Sequence, residues 1–348
     1  MIALDSSFLY SPSQPYLPSV PALVGLLDPL TVNGVTLRNR IVMPPMQSGR
    51  ASFEGAVTER LVNFYVRRSS VLGLPIVEHA YVSALGKIGP KQLGIYSDSL
   101  IGGFEKLASG IHSVGAPAVV QISHAGAVAT HKVIGAMPVG PSSRPKTRML
   151  EKSELQELAE DYALATDRAV KAGFDGVELH GAHGYLLNQF FSPLLNRRDD
   201  EFGGSLEKRM RFPLMVVEKV RRRLGSGLLL YRLGSDDLAP NGTHIEDAIT
   251  FACRLEAAGV DVLDVSGGMC GSDPKQLRGI VGYFIPQAYA VRRAVKVPVI
   301  GVGGIKEAEF ADTLVREGKV DLVAVGRAIL HDNEWPQKAA EKLLGMSE

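Results

Sequence analysis

Eight short and nearly uninterrupted apolar runs recur along the chain, separated by longer segments in which apolar residues repeat at helical spacing. Several runs do not alternate with polar residues, which is typical of strands buried on both faces of a parallel sheet. Strand and helix alternating eight times over roughly 300 residues predict a (β/α)8 barrel. An open, doubly wound sheet is the alternative, but no Gly-x-Gly-x-x-Gly motif follows the first strand. The eight runs are Arg40–Pro44, Pro75–Ser83, Pro117–Ser123, Asp175–Gly181, Gly227–Gly234, Val260–Gly268, Val297–Gly304 and Val320–Arg327.

Three of the intervening segments show helical spacing most clearly. The first, Ser153–Ala172, begins where Ser153 and Gln156 predict a capping box. The other two are Glu207–Leu224 and Glu246–Ala258, the latter ending at an Ala-Gly pair.

A hairpin is predicted ahead of the first barrel strand. The segment LTVNGVTL (Leu30–Leu37) holds two short β-runs around Asn33-Gly34, a strong signal for a two-residue hairpin turn. A hairpin cannot belong to the parallel barrel, so we expect it to cover the bottom of the barrel. No domain boundary is visible after Leu30, and we expect one barrel domain over residues 26–348 behind an extended arm over residues 1–25.

Composition narrows the class of protein. Hydrophobic residues make up 45%, charged residues 22%, and the formal net charge is +1, which gives no electrostatic reason to expect nucleic acid or a membrane surface as partner. Cys253 and Cys270 are the only cysteines, too few for a disulfide framework or a four-cysteine metal site. The first twenty residues do not have the pattern of a signal peptide, and no apolar run is long enough for a membrane helix. We expect a cytoplasmic protein that acts on a small molecule.

Glycines follow the last two strands. In a (β/α)8 barrel the active site forms at the carboxyl ends of the strands, and a phosphate site commonly follows strands 7 and 8. Strand 7 ends in Gly303-Gly304 and strand 8 in Gly326-Arg327, each expected to lead into a helix start whose N–H groups favour an anion. Tight turns alone would also explain the glycines, but two on adjacent strands together with an arginine favour a phosphate.

Gln121 and Arg232 are polar residues within predicted strands. An interior arginine is costly unless it meets an anion, so the alternative for Arg232 is a buried ion pair with Asp236 or Asp237. For Gln121 the alternative is a satisfied amide in the core. Together the two residues suit the edges of a flat heterocycle, because Gln offers both a donor and an acceptor.

Two histidines and a tyrosine, His180, His183 and Tyr185, follow the fourth strand. A metal site needs three or four ligands, and the end of strand 1 supplies none, so we predict no metal. A Schiff-base aldolase is disfavoured because no strand contains a lysine. Two neutral imidazoles can instead donate N–H bonds to one substrate oxygen, with the tyrosine as a proton donor beside them.

Taken together, these residues resemble the Old Yellow Enzyme family of FMN-dependent NAD(P)H oxidoreductases. The similarity covers roughly 26–333, and its most specific part is the long segment after the fourth strand. The His/His pair resembles the bacterial subgroup that includes thermostable ene reductases. The matching segments are NRIVMPPM (Asn39–Met46), QISHAG (Gln121–Gly126), HGAHGYLLNQFFSPLLNRRDDEFGGSLEKRMRF (His180–Phe212) and DLVAVGRAIL (Asp321–Leu330).

The resemblance implies that FMN lies across the barrel mouth with its phosphate at the glycines after strands 7 and 8 and at Arg327. Gln121 would contact the pyrimidine edge of the flavin, and Arg232 its N1/O2 region. NADH or NADPH would reduce the flavin, which would pass hydride to the β-carbon of an α,β-unsaturated carbonyl compound. His180 and His183 would bind the carbonyl oxygen, and Tyr185 would protonate the α-carbon. The other implied flavin contacts are Pro44, Pro45, Met46, Gln47, His79 and Gly268.

Two positions depart from the subgroup: Gln47 stands where a cysteine is common, and Gly49 where a tyrosine is common. Larger relatives add an iron–sulfur segment and a nucleotide domain, and a chain ending at Glu348 without them implies the simple two-substrate form. A related flavin oxidoreductase acting on a nitro compound or cyclic amine, and a flavin-binding protein without turnover, are the alternatives. The natural substrate, the choice of nicotinamide and the formation of a homo-oligomer stay open.

Overall fold

Eight parallel strands close into a barrel in the computed structural model, which describes residues 24–346. A hairpin with a two-residue turn precedes the barrel, and a small two-stranded sheet lies in the connection after the third barrel strand. Each of the eight predicted apolar runs overlaps one barrel strand, so the (β/α)8 prediction is confirmed. The strands are β1 (Leu30–Val32), β2 (Val35–Leu37), β3 (Ile41–Met43), β4 (Leu74–Tyr81), β5 (Val119–Ser123), β6 (Val139–Gly140), β7 (Arg148–Met149), β8 (Gly176–Gly181), β9 (Leu228–Gly234), β10 (Val262–Ser266), β11 (Val299–Gly301) and β12 (Leu322–Ala324).

The barrel order is β3-β4-β5-β8-β9-β10-β11-β12, with β12 pairing back to β3. Helices connect consecutive strands and pack outside them over a core that is continuous around the barrel. The helices are α1 (Glu59–Ser69), α2 (Ile101–Ser113), α3 (His131–Ile134), α4 (Lys152–Lys171), α5 (Leu186–Phe191), α6 (Leu206–Leu224), α7 (Ile245–Ala257), α8 (Ile285–Arg292), α9 (Ala308–Arg316), α10 (Arg327–His331) and α11 (Trp335–Leu343).

The hairpin of β1 and β2 covers the bottom of the barrel, as the sequence predicts. Asn33 and Gly34 form its turn with φ of 45° and 80°, the left-handed backbone that this pair adopts readily. Val32 and Leu37 pack into the apolar cluster formed by the first inward residues of the barrel strands. Of the predicted arm, residues 1–23 lie outside the part of the chain that the structure describes.

The capping box of α4 differs from the predicted one. The helix begins two residues earlier than an N-cap at Ser153 would place it, because its N-cap is Glu151. The partner in the box is Glu154, whose carboxylate accepts from the Glu151 backbone N–H at 2.7 Å. The prediction of Ser153 and Gln156 is therefore wrong. The physical reason is that Arg148 binds the same Glu154 carboxylate through two hydrogen bonds of 2.7 Å, which fixes this residue at the start of the helix.

The interior of the barrel changes from apolar to polar from bottom to top. Its lower half is filled by residues such as Leu228, Val262 and Leu322. Polar side chains occupy the next inward positions, including Gln121 and Arg232, both buried. This places the chemistry of the protein at the carboxyl ends of the strands. Within residues 24–346, none of the helices is both long and apolar enough to cross a membrane.

Candidate active site

A cavity of about 480 Å³ opens at the carboxyl ends of the barrel strands. Its volume lies within the usual range of small-molecule sites. All but two of the residues that the sequence suggested for the site line this cavity, so residues from seven strand ends meet here. They are Pro44, Pro45, Met46, Gln47, His79, Gln121, His180, His183, Tyr185, Arg232, Gly304, Gly326 and Arg327.

Gly268 and Gly303 are the two that are not among the residues lining the cavity. The N–H of Gly268 donates to the Asp236 carbonyl at 2.8 Å, and a side chain here would meet the Asp237 carboxylate, so its backbone is already engaged. The carbonyl of Gly303 accepts from the N–H groups of Gly282 and Tyr283. One backbone group of each glycine is therefore engaged within the loops that follow β10 and β11.

The turn after β8 brings His180, His183 and Tyr185 together. The rings of His180 and Tyr185 are stacked, with centroids 4.3 Å apart and 28° between their planes. The rings of His180 and His183 lie 5.2 Å apart at 83°. Gly181 is required between them because a Cβ at this position would lie 2.2 Å from the hydroxyl of Tyr231. His183 itself adopts φ of +55°, an uncommon backbone for a residue with a side chain.

All three rings are uncharged at neutral pH. Burial lowers the pKa of His180 well below its ordinary value, with the other nearby histidines and Arg232 adding to the effect. Burial, followed by the charge of Arg232, lowers the pKa of His183 in the same way. Burial raises the pKa of Tyr185 to about 12. The site thus offers neutral imidazoles and a protonated phenol, all of which can donate hydrogen bonds.

His79 lies beside this group, with its ring centroid 5.2 Å from that of Tyr185. Its Nδ1 is 2.9 Å from Nε2 of Gln92 and 3.3 Å from the hydroxyl of Ser123. Burial lowers its pKa to about 4, so this ring is also neutral. Sequence reasoning found His79 but missed both partners; Ser123 stands two residues after Gln121 and so shares its inward face.

Beneath the histidines, two carboxylic residues that sequence reasoning missed share the barrel interior with Arg232. Nε of Arg232 lies 3.2 Å from Oδ2 of Asp264, and Nε2 of Gln121 donates to Oε1 of Glu178 at 2.7 Å. The sequence suggested Asp236 or Asp237 as the partner of Arg232, but the structure shows that the partner is Asp264. Asp237 instead accepts from the Ser192 hydroxyl and from the N–H groups of Thr243 and Met269.

The two interior carboxyl groups are both fully buried. Burial raises the pKa of Asp264 above its ordinary value, and burial together with the neighbouring Asp264 raises that of Glu178 further, against the opposing charge of Arg232. Oε2 of Glu178 and both carboxyl oxygens of Asp264 have no hydrogen-bond partner among residues 24–346. The sequence alternation in VELHG and VLDVS could have indicated both carboxyl groups. Glu178 lies two positions before His180, and Asp264 lies two positions before Ser266, so each shares the inward face of its strand.

The glycines after β11 and β12 border the outer end of the cavity. Gly326 is the N-cap of α10, as the sequence suggested, whereas α9 is capped by Glu307, three residues beyond Gly304. Arg327 lies beside them, with Nη1 at 3.2 Å from the Asp273 carboxylate. Lys306, which sequence reasoning missed, lines the same end and adds a second cation. This end of the cavity is suited to an anion.

Metal-ligating side chains do not cluster in the described part of the chain: no group of three or more His, Cys, Asp or Glu residues there is placed to hold an ion.

Comparison with known proteins gives consistent results. A family model described as the NADH:flavin oxidoreductase / NADH oxidase family matches residues 25–344. An NADH oxidase from Thermoanaerobacter brockii is 41% identical over 323 residues, which are 89% of this chain and 50% of that protein. An NADPH dehydrogenase from Geobacillus sp. (strain WCH70) is 37% identical over 326 residues, covering 91% of this chain and 94% of the relative.

Two further matches are a longer relative and a solved structure. An NADH:acrylate oxidoreductase from Vibrio harveyi is 37% identical over 88% of this chain, which corresponds to 32% of that protein. This chain therefore spans half or less of two of these relatives. The solved structure of an old yellow enzyme homologue from Zymomonas mobilis superimposes with a TM-score of 0.82 at 28% identity, covering 91% of this chain and 93% of that one.

Proposed function

Because this chain belongs to the NADH:flavin oxidoreductase / NADH oxidase family, whose members bind FMN and are reduced by NADH or NADPH, we propose that it reduces the activated C=C bond of α,β-unsaturated carbonyl compounds. The observation that carries the proposal is the arrangement of His180, His183 and Tyr185 as neutral donors at one side of the cavity. A relative that acts on acrylate, an α,β-unsaturated carboxylate, supports the same class of substrate.

The residues of the cavity fit FMN. Arg232 is buried and lines the cavity, with its Nε facing Asp264 at 3.2 Å, so this wall presents a buried cation to an acceptor on a ligand. Gln121 adds an amide to the same wall. At the outer end, a Cβ on Gly304 would approach Tyr283 and Arg327, so the absence of a side chain keeps open the space that a phosphate would need. Arg327 and Lys306 would bind that phosphate.

When bound and reduced by NADH or NADPH, FMN would supply the hydride that the β-carbon of the substrate receives. The residues of this chain would bind and polarise the substrate. His180 and His183 would each donate an N–H bond to the carbonyl oxygen, and these bonds strengthen as negative charge develops on that oxygen during the reaction. The low dielectric of this buried site would increase their contribution.

Tyr185 would donate its phenolic proton to the α-carbon. Its high pKa keeps the proton in place at neutral pH, and stacking against His180 orients the phenol. The neutral imidazoles matter here, because a charged histidine would compete as an acid and would oppose the positive charge that develops on the nicotinamide as it gives up hydride. His79 would border the same space, and its burial keeps it neutral while Gln92 and Ser123 contact its Nδ1.

The test is the behaviour of the purified protein. We expect a yellow protein with one FMN per chain, bleached by NADPH or NADH under anaerobic conditions and recoloured by cyclohexenone with formation of cyclohexanone. Metal analysis of the same sample provides the control, since a stoichiometric metal without flavin would contradict the proposal. Recolouring by a nitro compound or cyclic imine but not by cyclohexenone would assign the enzyme to another reaction, and no bleaching would indicate a flavin-binding protein without turnover.

A further inference from the structure

The end of strand β10 holds His183 in two places. The backbone N–H of His183 donates to the Gly267 carbonyl at 3.1 Å. Its ring nitrogen Nε2 lies 2.8 Å from the hydroxyl of Ser266. We propose that Ser266 is a positioning residue that fixes His183 in its Nδ1–H tautomer, and so determines that this histidine offers a donor to the substrate oxygen. The proposal rests on the function proposed above.

The direction of the hydrogen bond follows from burial. Only 1% of Ser266 is exposed, so its hydroxyl proton is out of reach of bulk water. Among the described residues, Nε2 of His183 is the only acceptor that the structure places within reach of this hydroxyl. If Nε2 carried the proton and donated to Ser266, the hydroxyl proton would be buried without an acceptor, at a cost of about 1–3 kcal/mol. The hydroxyl therefore donates, and Nε2 of the ring is the acceptor.

A neutral imidazole that accepts at one nitrogen carries its proton on the other. Burial keeps His183 neutral, as its lowered pKa shows. The proton must then be on Nδ1. Because His183 lines the cavity, this N–H is the group that it can present to a ligand oxygen. The opposite tautomer would present a lone pair to that oxygen and would repel it.

Hydrogen bonds also fix the backbone of Ser266, and this holds its hydroxyl in place. The Ser266 carbonyl accepts from the backbone N–H of Ser235 at 2.9 Å and from the Ser235 hydroxyl at 2.7 Å. The φ of +55° at His183 is held by the bond to Gly267. Ser235 is therefore a matched control: it is equally buried and hydrogen-bonded to the same residue, but it does not contact the imidazole.

The experiment combines nitrogen NMR with ligand binding on the FMN-loaded protein. Long-range ¹H–¹⁵N spectra report which imidazole nitrogen carries the proton, and the signals of His183 are assigned by their loss in His183→Asn. We expect the Nδ1–H tautomer in the wild type, in Ser266→Thr and in Ser235→Ala, and a mixture or the Nε2–H tautomer in Ser266→Ala. Binding of 4-chlorophenol as its phenolate should weaken by about 2- to 10-fold in Ser266→Ala, from the loss of one directed donor, and should stay unchanged in Ser235→Ala.

An Nε2–H tautomer in the wild type, or an unchanged tautomer in Ser266→Ala, would overturn the proposal. The outcome is separable from the proposed reaction. If the wild type does not reduce enones but shows the Nδ1–H tautomer that Ser266→Ala loses, the role of Ser266 stands and the proposed function fails. If enones are reduced and the tautomer does not depend on Ser266, the proposed function stands and the role of Ser266 fails.

Discussion

The ring of Tyr185 lies stacked on the ring of His180, with centroids 4.3 Å apart. His180 lies near the end of β8, and Tyr185 immediately precedes α5. The four residues between them fold back and bring the two rings together. The contact fixes the phenol beside the imidazole pair. The proposed proton donor and the proposed oxygen-binding pair therefore lie in one turn of the chain.

Tyr185→Phe removes the proposed proton donor and keeps the stacked ring. We expect it to slow oxidation of the reduced enzyme by cyclohexenone by about 10²- to 10⁴-fold, because general acid catalysis contributes about this much. Reduction by the nicotinamide, which needs no proton from this residue, should change little. Stopped-flow traces of both half-reactions measure the two effects. Equal slowing of both would contradict the assigned role.

The histidine pair is tested separately through binding. His180→Ala and His183→Ala should each weaken 4-chlorophenol binding, since each removes one donor to a charged oxygen, with a loss of about 1.5–3 kcal/mol. Titration of the long-wavelength absorption that a phenolate produces beside an oxidised flavin gives the dissociation constants. His112→Ala is the control, because His112 lies at the bottom of the barrel in contact with Asp175. Unchanged constants in both site variants would argue against oxygen binding by the pair.

The sequence predicted the barrel and most of the residues that line the cavity, because both follow from local patterns. Uniform apolar runs mark buried strands, and residues that follow them meet at one end of a parallel barrel. Contacts across strands were harder to predict. The pairing of Arg232 with Asp264 depends on the register of β9 against β10, in which these two residues are direct neighbours. Asp236 and Asp237 were closer in sequence but lie beyond the strand end.

Loop residues were beyond prediction for a different reason. Gln92 reaches His79 from a segment without regular structure, so no periodicity indicates where its side chain points. The prediction for the capping box of α4 failed because Arg148, which lies outside the helix, binds Glu154 and so favours the Glu151/Glu154 pair over Ser153/Gln156. Such choices are made by tertiary contacts and not by local sequence.

The interior ion pair should be essential for stability. Arg232→Met leaves Asp264 and Glu178 buried without a cation, and removal of one partner of a buried pair typically costs about 3–5 kcal/mol. Both carboxyl groups have raised pKa values in the folded protein, so the loss should be smaller at pH 5, where they can hold protons, than at pH 8. Urea unfolding of the flavin-free protein at both pH values measures it.

The double variant Arg232→Met/Asp264→Asn is the informative control, because it removes the stranded charge together with its partner. It should recover part of the stability lost in Arg232→Met. Arg327→Met, which changes a half-exposed arginine at the outer end of the cavity, should alter stability by no more than about 0.5 kcal/mol. A double variant as unstable at pH 8 as Arg232→Met would show that the guanidinium stabilises the barrel through packing and not through charge.

Glu78 should make the stability of the protein depend on pH. This residue of β4 is buried, its Oε2 accepts from the backbone N–H of Ser48 at 3.0 Å, and its neighbours include Arg50 and the Tyr65 hydroxyl. Burial raises its pKa to about 7, against the opposing effects of the Ser48 hydrogen bond and Arg50. A carboxyl group whose pKa is higher in the folded state than in the unfolded state stabilises the fold while it is protonated. Its contribution is therefore fully present below the ordinary pKa of glutamate and is lost as the pH rises to about 7.

Glu78→Gln keeps an oxygen for the Ser48 N–H and removes the charge. We expect the variant to be more stable than the wild type at pH 8, by up to about 3 kcal/mol, and nearly equal to it at pH 4.5, because one unit of pKa corresponds to about 1.4 kcal/mol. Urea unfolding across this pH range measures the difference, and Glu59→Gln, at the exposed start of α1, should show no such trend. Since Ser48 follows Gln47 in the wall of the cavity, ionisation of Glu78 acts on the segment that lines the active site. A difference between Glu78→Gln and the wild type that does not change with pH would show that Glu78 does not titrate in this range.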